Sequence, residues 1–349
     1  MKALVRYSHL PHKMKVKDIL TPDMKGSKKH AIIDVKFAGI CGRDLEHYDA
    51  KLKKSKVPYV LGHEFSGTIN QIPKISKKKF KIGDRVVCET VDSVCDKCFF
   101  CKSGYYNLCK KRKNIGGTMN GAFAPKIKVP IQYIHKIPKE ISFEEGALIE
   151  PMSVCYNAII KNSNIKKNDL IVIIGAGTMG LLCLKFAIYK KAKVIIVGHR
   201  TDKLQLNIAK QNGCFKIFTS NENYVEKIDK LTNQKGVSLV VDTVGGVAET
   251  INNALEMVSP RGQITKIGWF MNKPGINLDI LIRKNIKLQG SFSHNYEIWE
   301  KCIFLLKNKS IKLKDLISKK MKINDWYKSF ELLKKRKAVK ILLYSDDKK

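Results

Sequence analysis

Four closely spaced cysteines form the most specific chemical pattern in the chain. Cys95, Cys98, Cys101 and Cys109 follow the spacing C-x2-C-x2-C-x7-C. Four thiolates brought together by short loops make a closed tetrahedral zinc site with no open position for chemistry. A [4Fe–4S] cluster shares the opening of this pattern, but no proline follows the fourth cysteine here. We therefore predict a structural zinc lobe over roughly residues 90–112, which stabilises a segment too small for its own core.

A second group of residues has the types needed for a reactive metal. Cys41 follows a predicted strand, and His63 with Glu64 follows a glycine-containing turn. A catalytic zinc takes about three protein ligands and one exchangeable position. Cys41 and His63 would supply a thiolate and an imidazole, and either Glu64 or Glu150 would be the third ligand. Asp44 is suitably placed to orient the histidine. Taken singly, each residue also has an ordinary structural explanation.

A glycine-rich turn between two predicted strands indicates a dinucleotide site. Leu170–Ile174 and Lys193–Val197 are largely β-branched runs, typical of strands buried on both faces. Gly175 would permit a tight turn, Gly177 the close approach of a pyrophosphate, and Gly180 close packing of helix on strand. Some other βαβ protein could carry such a turn, but the flanking strands favour the dinucleotide.

The residues after these glycines begin a predicted helix that runs to Tyr189. The N–H groups of Thr178 and Met179 and the positive end of the helix dipole would bind the phosphates. Thr243 and Val244 follow another predicted strand and are expected in a loop that faces the cofactor. Trp269 and Phe270 are candidates to lie beside the nicotinamide, with packing as the ordinary alternative.

The end of the second strand bears on the choice of cofactor. NAD sites carry Asp or Glu about 20 residues after the glycines, bonded to the ribose 2′-OH. This chain has Gly198, His199 and Arg200 there, and Asp202 lies beyond the turn. A small residue followed by His and Arg would accept a 2′-phosphate. We therefore predict NADP(H) over NAD(H).

Composition limits the class of protein. The 349 residues carry a net charge of +35, from 58 lysines against eight arginines spread along the chain. Nucleic-acid sites usually cluster basic residues and read bases with Arg, so we expect a solvated lysine surface that attracts anionic substrates, not nucleic acid. No signal-like segment and no apolar run of about 20 residues is present, so we expect a cytoplasmic protein with no membrane partner. The remaining cysteines are expected in the core: Cys88, Cys155, Cys183, Cys214 and Cys302.

The elements that must position these groups divide into two kinds. Short strands separated by Gly and Pro fill the N-terminal part, with Ala3–Tyr7 expected at a sheet edge and Ala31–Phe37 as a good strand. Glycine-opened βαβ units follow. Glu297–Leu306 and Ile323–Lys335 are predicted as amphipathic helices, and Asp346–Lys349 as a frayed end.

Together, these motifs resemble one family. The segments around Gly39–Asp44 and Gly62–Gly67, the four cysteines, Glu150–Pro151 and the glycine turn occur in the order found in zinc-containing medium-chain dehydrogenases/reductases. The chain is most similar to the sorbitol and threonine dehydrogenase branch. The resemblance implies an α/β plus β-rich fold, in which a doubly wound Rossmann domain (153–289) is inserted into a split GroES-like β-barrel catalytic domain (1–152 and 290–349).

The resemblance also implies a chemistry. Cys41, His63 and a glutamate would hold a catalytic zinc, so that each chain carries two Zn²⁺ ions, one catalytic and one structural. Hydride would pass between a secondary alcohol and the nicotinamide. A homodimer or homotetramer is the family's usual assembly.

Two positions depart from the family pattern. Arg43 stands where Ser or Thr usually relays the alcohol proton, and Glu46 stands where His is common. Glu46, the adjacent His47 or water would replace the relay. Arg43 would act as a bidentate clamp for a phosphate or carboxylate, or form a salt bridge within the fold.

These observations leave a ranked set of functions. The first is a zinc-dependent oxidoreductase of a polyol or related secondary alcohol. The second is a dehydrogenase of a phosphorylated sugar alcohol, of the galactitol-phosphate type, or of an amino alcohol, of the threonine type. A distant alternative is a zinc-lobed nucleic-acid-binding protein, whose affinity would fall steeply with salt. A further alternative is a dehydrogenase-like protein that lacks activity because its proton relay is changed.

Overall fold

A computed structural model describes residues 1–51, 57–74, 79–246, 249–269 and 275–345 of the chain. The chain divides into two compact units. Met1–Glu150 and His294–Lys349 form the first unit, and Pro151–Ser293 forms the second. Among the described residues, no helix has both the length and the apolar character needed to cross a bilayer. Phe270 and Asp346–Lys349 lie outside the described residues.

The first segment of the first unit is rich in short strands. They are β1 (Lys2–Arg6), β2 (Met14–Asp18), β3 (His30–Gly39), β4 (Tyr59–Val60), β5 (Glu64–Gln71), β6 (Arg85–Cys88), β7 (Val91–Ser93), β8 (Lys113–Asn114), β9 (Lys126–Pro130) and β10 (Ile134–Lys136). Its helices are short: α1 (Gly42–Tyr48), α2 (Phe99–Lys102), α3 (Phe143–Gly146) and α4 (Ile149–Tyr156), the last continuing into the second unit.

The second unit alternates strands and helices. Its elements are β11 (Leu170–Ile174), α5 (Thr178–Tyr189), β12 (Lys193–Gly198), α6 (Lys203–Gln211), β13 (Lys216–Thr219), α7 (Tyr224–Leu231), β14 (Val237–Asp242), α8 (Glu249–Met257), β15 (Val258–Lys266), α9 (Leu278–Arg283) and β16 (Lys287–Gly290). All strand pairs are parallel, in the order β13-β12-β11-β14-β15-β16. The order reverses between β11 and β14, and ligands bind at such a point beyond the carboxyl ends of the strands.

The chain then returns to the first unit. It adds α10 (Tyr296–Lys307), β17 (Ile317–Lys322), α11 (Trp326–Lys334) and β18 (Lys340–Tyr344). The main sheet has the order β10-β6-β5-β3-β18-β17, with β9 also paired to β3. The predicted helices 297–306 and 323–335 correspond to α10 and to α11 with the 3₁₀ turn before it.

Strand β3 organises the first unit because it pairs with three other strands. Its Ala31–Ile33 stretch is buried, and its last residue, Gly39, lies opposite Glu64 of β5 and Leu342 of β18. A Cβ on Gly39 would overlap the Glu64 carboxylate. This register brings the loop after β3, the start of β5 and strand β18 to one place.

One strand was placed wrongly from the sequence. Ala3–Tyr7 was expected at a sheet edge, whereas β1 lies between β2 and β4 in a three-stranded sheet. Its partner β4 is the two-residue strand Tyr59–Val60, which is too short to show an alternating pattern of apolar and polar residues in the sequence. Ala3 and Leu4 of β1 are fully buried.

Candidate metal centres and cofactor site

The four predicted lobe cysteines come together. Their sulfur atoms all lie within 4.8 Å of one another, with Cys98 Sγ 3.5 Å from Cys101 Sγ. Helix α2 starts directly after Cys98, and a 3₁₀ turn ends at Cys109. All four are free thiols. Four sulfur donors at this separation fit a tetrahedral zinc ion.

The local backbone prepares one of these thiols to bind a cation. The N–H of Cys98 donates to Cys95 Sγ at 3.4 Å. Backbone N–H groups of Lys97 and Cys98 lower the pKa of the Cys95 thiol to about 6. Cysteine binds a metal as the thiolate, so the lowered pKa of Cys95 favours metal binding over a group of four protonated thiols.

The second predicted group also converges. The ligand atoms of Cys41, His63 and Glu64 lie within 4.8 Å of one another. Cys41 caps the start of α1, His63 ends the turn before β5, and Glu64 is the first residue of β5. The register of β3 against β5 therefore sets the separation of the thiol from the carboxylate.

Asp44 supports this group from behind. Its Oδ2 accepts the N–H of Cys41 at 2.9 Å. Its Oδ1 is buried without a hydrogen-bond partner and lies 3.9 Å from His63 Nδ1. A histidine that binds a metal through Nε2 donates its Nδ1–H to such a carboxylate. The unpartnered oxygen therefore fits a metal-bound His63.

A buried lysine that the sequence analysis missed joins the group. Lys340 Nζ donates to Glu64 Oε2 at 2.6 Å and to the carbonyl of Ile40 at 2.9 Å. Burial acts to lower the pKa of Lys340, but the attraction of Glu64 and Cys41 prevails and raises it. The sequence signal for it was a lysine at the start of the apolar strand β18.

The charge around Cys41 calls for a cation at its sulfur. Burial and the nearby Glu64 carboxylate raise the pKa of the Cys41 thiol well above its usual value, although Lys340 opposes this. A further positive charge at the sulfur would oppose this rise in the pKa and favour the thiolate. A divalent metal at Cys41, His63 and Glu64 would supply that charge.

Glu150 lies near this group but outside the convergent set. It is in the first turn of α4, and its Oε1 is 3.3 Å from His294 Nε2. Burial acts to raise the pKa of Glu150, and His294 lowers it overall. Its charge also contributes to the high pKa of Cys41. Glu150 therefore faces the same centre without sharing the close spacing of the other three.

The two residues at the altered relay positions lie on α1. Arg43 is exposed. Glu46 is half-buried, and burial raises its pKa while Arg43 opposes the rise. The adjacent His47 is not suited to a relay. Burial and the charge of Arg6 lower the pKa of His47 to about 3, and its Nδ1 already accepts from Arg6 and from Tyr59.

The glycine turn of the second unit has the geometry that its spacing indicates. Gly175 has φ +103°, a conformation that side chains rarely adopt, and Thr243 Oγ1 occupies the space that a Cβ would need. A Cβ on Gly180 would overlap the carbonyl of Gly175. Nothing lies within 4 Å of a Cβ built on Gly177, so its backbone is open to a ligand. Thr178 and Met179 begin α5 directly after it.

The region after β12 leaves basic side chains exposed and its carboxylate occupied. His199 and Arg200 are exposed, whereas Asp202 is 3% exposed and accepts the N–H of His199 at 2.8 Å. Gly198 is buried beside Leu206. Val244, in the loop beyond β14, donates its N–H to Asp242 Oδ1 at 3.0 Å. The carboxylate nearest to the end of β12 is thus engaged in the turn.

One of the predicted core cysteines is less buried than expected. Cys88, Cys155, Cys183 and Cys302 are buried, but Cys214 is only partly so. It lies in the turn between α6 and β13, where its thiol donates to the carbonyl of Val194.

Comparisons with known families agree with this architecture. Residues 27–139 match the family described as alcohol dehydrogenase GroES-like domain, and residues 178–308 match zinc-binding dehydrogenase. The predicted combination of a GroES-like domain with a Rossmann domain is thereby confirmed.

Two curated relatives match over nearly their whole length. D-arabitol-phosphate dehydrogenase of Enterococcus avium is 33% identical over 94% of this chain and 93% of its own. Sorbitol dehydrogenase of Halalkalibacterium halodurans is 34% identical over 98% and 99%. Sequence identity at this level, over nearly the whole of each chain, indicates a common family.

Solved structures give the same result. Alcohol dehydrogenase TADH from Thermus sp. ATN1 has a TM-score of 0.89 at 27% identity and covers 99% of this chain and 100% of its own. Galactitol-1-phosphate dehydrogenase from Escherichia coli has a TM-score of 0.87 at 26% identity, with the same coverage.

Proposed function

Because the chain belongs to the zinc-containing medium-chain alcohol dehydrogenase family, a family of oxidoreductases, we propose that it interconverts a polyol and its ketone with NADP(H) as the hydride carrier. The single observation that carries the proposal is the convergence of Cys41, His63 and Glu64 within 4.8 Å. The relatives named above that act on sugar alcohols support the substrate class.

The proposal assigns a zinc ion to Cys41, His63 and Glu64. Zinc there supplies a Lewis acid for the substrate oxygen, and the nicotinamide supplies the hydride chemistry. Asp44 orients His63 through the N–H on Nδ1. Lys340 fixes one oxygen of Glu64 through its 2.6 Å hydrogen bond. Glu150 is the alternative carboxylate ligand, or holds water beside the metal.

The other residues have separate roles in this proposal. The lobe of Cys95, Cys98, Cys101 and Cys109 holds a second zinc that is purely structural. Glu46 receives the substrate proton in place of the usual histidine. Its raised pKa suits this role, since an acceptor works best with a pKa near the working pH.

The cofactor site is assigned to the second unit. Gly175, Gly177 and Gly180, with the N–H groups of Thr178 and Met179, bind the pyrophosphate. Thr243 and Val244 line the loop beyond β14. His199 and Arg200, which follow the buried Gly198, would bind a 2′-phosphate. The exposure of both basic side chains, and the engagement of Asp202, support NADP(H) over NAD(H).

A second candidate function is supported by the arginines. Arg43 is exposed two residues after Cys41. Arg112 lies near Glu150. Burial and the charge of Arg43 lower the pKa of Arg112, and the charge of Glu150 opposes this. Two guanidinium groups near the centre suit a phosphorylated polyol, because Arg binds phosphate in a bidentate manner. An exchange of Arg43 for Ser would then lower kcat/KM for a polyol phosphate by about 10- to 100-fold and spare the unphosphorylated polyol.

The proposal also covers assembly and compartment. No disulfide joins any of the ten cysteines, all of which are among the described residues, and this suits a reducing compartment such as the cytoplasm. From the family resemblance we propose a homodimer or homotetramer. Sedimentation equilibrium, which measures the mass of the assembly, tests this.

One screen tests the proposed function. Purified enzyme would be assayed with neutral polyols, their monophosphates and threonine, each with NADP⁺ and NAD⁺. Turnover of a polyol or its phosphate, with higher kcat/KM for NADP⁺, is expected. Turnover of threonine alone would select the amino-alcohol alternative. Absence of turnover with every alcohol, in protein that retains its zinc, would overturn the proposal.

A further inference from the structure

His294 connects a buried aromatic residue to the carboxylate of Glu150. Its Nε2 lies 3.3 Å from Glu150 Oε1, and its Nδ1 lies 2.8 Å from Trp299 Nε1. His294 and Trp299 are each 1% exposed. The contact links residues 144 positions apart in the sequence, so it depends on the return of the chain to the first unit.

The contact with Trp299 determines where the proton of His294 lies. An indole N–H can only donate a hydrogen bond, so His294 Nδ1 must be the acceptor. The proton of the neutral ring is then on Nε2, and Nε2–H donates to Glu150. With Nδ1 bonded to the indole, Nε2–H is the donor of the ring that faces Glu150 Oε1.

Glu89 is a second polar group near His294 Nδ1, but it does not displace Trp299. Glu89 Oε2 is 3.7 Å away, beyond hydrogen-bond distance. Both oxygens of Glu89 already accept from the hydroxyl of Tyr106, at 2.8 and 2.7 Å. The indole itself is held in place, because its ring stacks on that of His135 with the centroids 5.4 Å apart.

We infer that His294 is a positioning residue for the candidate catalytic centre, and that Trp299 fixes its tautomer. The Nε2–H of His294 binds one oxygen of Glu150 and holds that carboxylate in a single orientation. Only the other oxygen is then free to bind the metal or its water. The inference rests on the proposed function and adds a residue to it. Groups that orient metal ligands in this way typically affect metal affinity or activity by about 10- to 100-fold.

Three variants separate positioning from packing. His294→Leu removes the donor, His294→Gln keeps an N–H that can reach Glu150, and Trp299→Phe removes the indole N–H and keeps an aromatic ring. His30→Leu is the control, because His30 lies in the same unit, at the end of β3 opposite to Gly39, and bonds to Ser27, not to Glu150.

The main readout is the visible spectrum of enzyme in which Co²⁺ replaces the metal. The band of the Cys41 centre is identified as the one that Cys41→Ser abolishes. We expect His294→Leu to shift this band and to lower kcat by about 10- to 100-fold with little change in KM for the cofactor. His294→Gln should restore most of kcat, Trp299→Phe should fall between, and His30→Leu should leave the band unchanged.

The result can distinguish failure of the inference from failure of the proposed function. An unchanged band and kcat in His294→Leu, in protein that still folds by circular dichroism, would overturn the positioning role alone. An equal shift of the band in His30→Leu would overturn it too. A wild-type protein with no band that depends on Cys41 would overturn the inference together with the proposed catalytic zinc.

Discussion

Lys340 Nζ lies 2.6 Å from Glu64 Oε2, and the two side chains are only 3% and 1% exposed. The pair connects the last strand, β18, to the first residue of β5. A buried charge without a partner is strongly destabilising, so each member depends on the other. This ion pair links the stability of the first unit to the carboxylate of the candidate metal centre.

The exchange Lys340→Met should destabilise the metal-free protein by about 3–5 kcal/mol, because it leaves Glu64 buried and unpaired. Urea unfolding monitored by circular dichroism measures the change. Adding Glu64→Gln to the same chain should recover much of the loss. If zinc binds Glu64, saturating Zn²⁺ should also recover part of it in the single variant. A single variant as stable as wild type without metal would contradict this account.

The low pKa of His47 predicts a dependence of stability on pH. Its folded value of about 3 lies below the unfolded value of about 6.5, so the unfolded chain binds the proton more readily. The contribution of His47 to the free energy of unfolding is complete above about pH 6.5. It is lost as the pH falls towards 3, by up to about 1.4 kcal/mol per pH unit. His47→Gln, which keeps an acceptor for Arg6 and Tyr59, should reduce this slope. The free energy of unfolding of both proteins at several pH values measures it, and parallel profiles would refute the assignment.

Replacement of Arg200 should change cofactor preference. Arg200→Ser would remove a charged donor to the 2′-phosphate, so kcat/KM with NADP⁺ should fall by about 10- to 100-fold while that with NAD⁺ changes little. Arg283→Ser is the control, since Arg283 is also an exposed arginine of the same unit. Equal losses with both cofactors would exclude a specific role at the 2′-phosphate.

The cysteine lobe should hold its zinc independently of the other centre. Cys101→Ser should lose about one zinc per chain and lower Tm by several degrees, because the short loops have little core of their own. Plasma emission spectrometry and a thermal melt provide the two readouts. Full zinc content in this variant would mean that Cys101 is not a ligand.

Local patterns accounted for much of this molecule. The glycine turn and the lobe cysteines each lie within a short stretch, so their spacing alone predicts their geometry. The β-branched runs before Gly175 and before Gly198 likewise match β11 and β12. These features need little knowledge of the rest of the fold.

Long-range partners could not be found in this way. The pairing of Glu64 with Lys340 joins residues 276 positions apart, and that of Glu150 with His294 joins residues 144 apart. Both follow from the register of β18 on β3 and the return of the chain to the first unit. Sequence spacing could not decide whether Glu64 or Glu150 is the third ligand, because the sheet register determines which carboxylate approaches Cys41.

The central claim is a metal centre at Cys41, His63 and Glu64, separate from the lobe. Zinc content per chain in wild type and in Cys41→Ser tests it most directly. We expect about two zinc ions in the wild type and about one in the variant, with alcohol oxidation abolished and the melting of the lobe unchanged. Two zinc ions retained in Cys41→Ser would contradict the account.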